Sequence, residues 1–139
     1  MQTLSLFPSL FAYEFLAITL IRVTLGLVFL WLWFRSLRID KDKAEQIAFF
    51  EMVGLRPARL FWGVLSFTKA TLGVLFIVGL WTQGAALVAA ALMLGAGGIK
   101  HLKPQLLPIH NAPFCFVVAA VSLALLFLGP GALAIDLPL

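Results

Sequence analysis

The stretch from Leu60 to Leu80, LFWGVLSFTKATLGVLFIVGL, is apolar enough to cross a bilayer, yet it places Lys69 almost at its midpoint. About 20 mainly apolar residues in an α-helix span a hydrocarbon core of roughly 30 Å. A cation at mid-depth in such a helix costs several kcal/mol unless it faces protein or water, so Lys69 marks a position with a structural or functional task. The rest of the chain agrees with a membrane setting. Its hydrophobic fraction is 63% and its mean hydropathy is +1.08, against the roughly 45–50% apolar usage of soluble domains. A soluble fold with so little charge would expose large apolar patches.

Three other segments approach spanning length, giving helices at about 13–34, 60–80, 83–99 and 112–128. The first carries Glu14 near one end and Arg22 near mid-depth, and closes on Trp31 and Trp33, an interfacial aromatic belt ahead of Arg35 and Arg38. Glu14 and Arg22 stand about 12 Å apart along the axis and are rotated by roughly 80°, so no direct salt bridge is expected between them. The opening residues lack a basic signal-peptide region, and the first span is expected to be retained.

The long connection RSLRIDKDKAEQIAFFEMVGLRPAR contains Asp42 followed by Glu45, the spacing of a capping box, with Gly54 and Pro57 as a stop. It predicts an interfacial helix over about 43–53, with Ile47, Phe50 and Val53 towards lipid or protein and the charges towards water. WTQG joins the second and third spans as a tight turn, and the Ala- and Gly-rich third span suits close helix packing. Asn111 is placed to cap the fourth span, with Pro113 in its first turn, and GPG at 129–131 ends it. The expected fold is all-α: one integral membrane domain over 1–139, an antiparallel four-helix bundle with a short interfacial helix. Lysine and arginine cluster in the first and third connections, which places those on the cytoplasmic side and both termini outside.

An ordered set of features resembles the DoxX family of small four-helix membrane proteins. It comprises Arg22 with LGLVFL, then FFEMVGL, LGVLFIVGLWTQGAAL and a closing FLGPGALAID. The resemblance implies a bacterial or archaeal cytoplasmic membrane and, through the founding members, the small subunit of a thiosulfate:quinone oxidoreductase. Where family members commonly carry a glutamate in the second span, this chain has Lys69. The end of the first span, WLWFRSL, also departs from the glycine and lysine often found there.

Counted from the outer helix ends, Arg22 and Lys69 fall at similar depths of roughly 13–17 Å, which predicts two cations in one layer. Arg22 then needs an acceptor: Glu14 through water, a backbone carbonyl, a ligand or another subunit. His101 and His110, separated by Pro104 and Pro108, lack helical metal-ligand spacing and are expected at the interface, with no metal. Cys115 is expected as a small core residue. No phosphate loop, nucleophile–base pair or cysteine cluster is present, so catalysis by the chain alone is not indicated and no covalent cofactor is expected. The leading expectation is a subunit that assembles into or anchors a larger membrane complex, with lipid and other membrane subunits, not nucleic acid, as partners. The alternative is a quinone-reactive oxidoreductase subunit with its site near Arg22 and Lys69, and the weaker one is a small transporter.

Overall fold

The computed structural model describes residues 13–105, 111–131 and 134–135. They form five helices: α1 Glu14–Arg38, α2 Asp40–Met52, α3 Ala58–Val78, α4 Thr82–Leu102 and α5 Ala112–Leu128. Three of them, α1, α3 and α4, are long and apolar enough to cross a membrane, and α5 is a shorter apolar helix. His110 lies outside the described residues.

α1 runs one turn beyond the predicted end and stops at Ile39, whose extended backbone separates it from α2. α2 begins at Asp40, so Asp42 lies inside the helix and the predicted capping box does not form. Gly54 turns the chain out of α2 with φ +85°. At the other end of α3, Gly79 adopts φ +76° and its N–H bonds Leu75 O, a left-handed stop that a residue with a Cβ adopts only with strain. Trp81 follows in the same left-handed region at φ 49°, and Thr82 already belongs to α4. The turn is therefore Gly79-Leu80-Trp81 rather than WTQG. Asn111 does precede α5, but its side chain makes no cap hydrogen bond.

Packing pairs α1 with α3 and α4 with α5, while α2 lies chiefly on α3; α3 and α4, though joined by the short turn, touch only lightly. The α1–α3 crossing depends on glycine: a Cβ on Gly26 would stand 2.9 Å from Gly73 O. Phe29 and Phe76 are fully buried beside it, with ring centroids 6.0 Å apart. Followed from Arg22 through Gly26 to Leu30, the neighbours of α1 on α3 run from Gly79 back to Gly73. In α4, Ala85, Ala86, Ala89, Ala90 and Gly97 are buried, as the small-residue pattern predicted. Cys115 of α5 packs against Gly97. Without a hydrophobic driving force between helices in lipid, such close van der Waals fit is what holds the pairs together.

Candidate functional site

Most of the buried polar residues fall into two groups at opposite ends of the α1–α3 pair, with Thr82 of α4 and Ser122 of α5 outside them. The first begins at the last turn of α1, where Ser36 is buried and Arg35 half-buried. Because α2 starts immediately after Ile39, it folds back beside this turn. Asp42 and Gln46 are four residues apart and share one face of α2, which is the face turned inward. Arg35 Nε donates to Asp42 Oδ2 at 2.7 Å. Gln46 Oε1 accepts from Ser36 Oγ at 3.2 Å and from Lys69 Nζ at 3.4 Å. Asp42 also supplies the nearby negative field for the ammonium.

The inward face of α2 is thus its polar one. Ile47 and Phe50 are only half-buried and Val53 is exposed, as a lipid-facing side allows, whereas buried Asp42 corrects the expectation that the charges of this helix turn to water. Sequence reasoning missed Asp42 and Gln46 as neighbours of Lys69, although Lys69 signalled them: a lysine within an apolar span requires acceptors, and the adjoining helix offers a glutamine and an aspartate four residues apart. Side chains on a helix tilt towards its N-terminus, so Lys69 carries its charge from mid-helix towards α2. One turn and two turns nearer that end, Ser66 Oγ and Trp62 Nε1 are buried without a hydrogen-bond partner.

The second group surrounds Arg22, 1% exposed despite its charge. A guanidinium N–H donates to Pro130 O, in the turn after α5. The same guanidinium lies against Gly79, and Gly131 packs on Thr19 and Ile18. Ala134 covers Gly79 in turn. The chain after α5 therefore folds over the first turns of α1 and the end of α3. Of the acceptors considered for Arg22, a backbone carbonyl is in place. Glu14 is exposed at the start of α1.

Arg22 and Lys69 do not share a layer. Arg22 is level with Gly79, ten residues beyond Lys69, which corresponds to about 15 Å along α3. The depth count failed because α1 overhangs the end of α3, and Pro130, Gly131 and Ala134 pack against that overhang and the end of α3. Of the expected interfacial residues, Trp31 is exposed with the Arg35 guanidinium 5.5 Å from its ring centroid. Trp33 is half-buried and His101 is exposed in the last turn of α4.

The family model for DoxX matches residues 17–102, from the second turn of α1 to the end of α4 and more than half of the chain. This chain belongs to the DoxX family. No match was found among curated proteins or among solved structures. In this DoxX protein the matched region contains the whole Lys69 cluster, whereas the Pro130 carbonyl that holds Arg22 lies beyond it.

Proposed function

We propose that this DoxX protein is a membrane scaffold, a subunit that assembles into or anchors a larger complex. In this reading α1, α3, α4 and α5 cross the bilayer as one antiparallel four-helix domain. The arginine- and lysine-rich α2 end faces the cytoplasm and the Gly79-Leu80-Trp81 turn lies outside. The observation that carries the proposal is that both cations within the spans serve the chain's own architecture. Lys69 fastens α2 through Gln46, and Arg22 fastens the segment after α5 through Pro130. Each holds an end structure in a fixed place, as a docking subunit requires, and neither is left in an open pocket facing a reactive partner group.

The test is purification in mild detergent followed by native mass spectrometry. Stoichiometric co-purification of another membrane protein is the expected result, and a lone monomer without partners overturns the proposal.

A second reading, a quinone-reactive subunit, is favoured by one observation. Trp62 Nε1 and Ser66 Oγ are buried donors without partners on the α3 face that bears Lys69. Three donors in one column suit a carbonyl oxygen that gains negative charge on reduction. That site would lie under α2, with Arg22 outside it. Retention of extracted quinone by the wild type and its loss in Lys69→Met test this reading; equal retention in both removes it.

A further inference from the structure

Between the first half of α2 and the first turns of α3 lies a cleft of about 450 Å³, lined by Asp40, Lys43, Ala44, Ile47, Arg59 and Trp62. Its charge gives it the chemistry of an anion site. Lys43 and Arg59 place two cations against one carboxylate, and Lys43 Nζ is held 4.7 Å from the Trp62 ring centroid.

The position of the cleft decides which anion. It opens where α3 enters the apolar span, and from there Leu60, Val64 and Phe67 stand exposed along the helix. The cleft thus lies at the membrane end of a helix whose exposed stripe, turned about 100° from Arg59, is apolar and suited to acyl chains, and Arg59 is the wall residue nearest to it. We propose that this cleft binds the phosphate of an anionic phospholipid, with the acyl chains lying along the exposed side of α3. The lipid bridges α2 and α3 from outside, while Gln46 and Lys69 join them from within.

Native mass spectrometry of the full chain in dodecyl maltoside, titrated with phosphatidylglycerol, phosphatidylcholine or inorganic phosphate, tests the site. One phosphatidylglycerol is expected to remain bound in preference to phosphatidylcholine. Lys43→Gln with Arg59→Gln is expected to weaken it about 30-fold, the loss appropriate to two interfacial cations. Arg38→Gln with Lys41→Gln removes the same charge from exposed positions outside the cleft and is expected to leave binding within about twofold, since the loss is local. Equal weakening by both double variants would show diffuse attraction and overturn the site. Equal binding of the two lipids, or displacement of the lipid by inorganic phosphate, overturns the phospholipid assignment. The single variant Arg59→Gln, at an exposed position, is expected to weaken binding about fivefold while keeping the unfolding midpoint of the wild type. Unchanged binding in it counts against the site even where the double variant folds poorly.

Discussion

Gly26 and Gly73 face one another across α1 and α3, each so close that a Cβ would meet the other's carbonyl oxygen, at 2.9 Å from Gly26 and 3.1 Å from Gly73. Backbone atoms cannot rotate away as a side chain can. Gly26→Ala is therefore expected to force the pair apart and destabilise the protein by about 1–3 kcal/mol, the range for overpacking a fitted interface. Thermal or denaturant unfolding in detergent measures it; an unchanged midpoint would mean the crossing is looser than described.

Gly63 and Gly95 give the opposite sign. A Cβ at either meets nothing within 4 Å, and both are within helices. Alanine there removes backbone entropy from the unfolded chain, so Gly63→Ala and Gly95→Ala are each expected to stabilise by about 0.5–1 kcal/mol. The same unfolding assay reads this as a raised midpoint.

Gln46 and Lys69 are expected to respond unequally. Lys69→Met replaces the buried ammonium with an apolar chain of similar length and is expected to change stability by less than about 1.5 kcal/mol. Gln46→Leu removes the acceptor and leaves the ammonium buried, which is expected to cost about 3 kcal/mol. The double variant should recover most of that loss, so a full thermodynamic cycle checks the coupling.

Arg22→Gln is expected to release the segment after α5. Loss of a hydrogen bond from a charged group, worth about 1.5–3 kcal/mol, corresponds to roughly 10- to 100-fold faster local opening. Hydrogen exchange at Gly131 and Ala134 should accelerate by that factor while amides in α4 stay protected. Acceleration throughout the chain would indicate global destabilisation instead.

The spans were legible because a continuous apolar run and its glycine stops are local properties: α5 begins and ends where the sequence places it, at 112 and 128. The cations were legible as anomalies but not as partners. Which residues meet Lys69 depends on how α2 folds back, and that is set by a single extended residue, Ile39, whose backbone the sequence does not announce. Reading α2 as amphipathic assumed water on its charged side. Arg35 and Lys69 instead make the polar side the inner one, since Asp42 and Gln46 serve them better than lipid-facing carbons would. Depth was misjudged for a comparable reason: helix length fixes how far a residue is from its own helix end, not how neighbouring ends align.

The short turn between α3 and α4 joins helices that share little surface, and beside it a cleft of about 320 Å³ is lined by Phe67, Leu75, Trp81 and Val88. Nothing in the described chain closes that seam, so in a bilayer its natural filling is fatty-acyl carbon. Beneath the seam the helices are joined, because Leu72 and Phe76 of α3 and Ala85, Ala86 and Ala89 of α4 belong to one buried core. Acyl carbon there would complete the outer surface of a bundle already closed within.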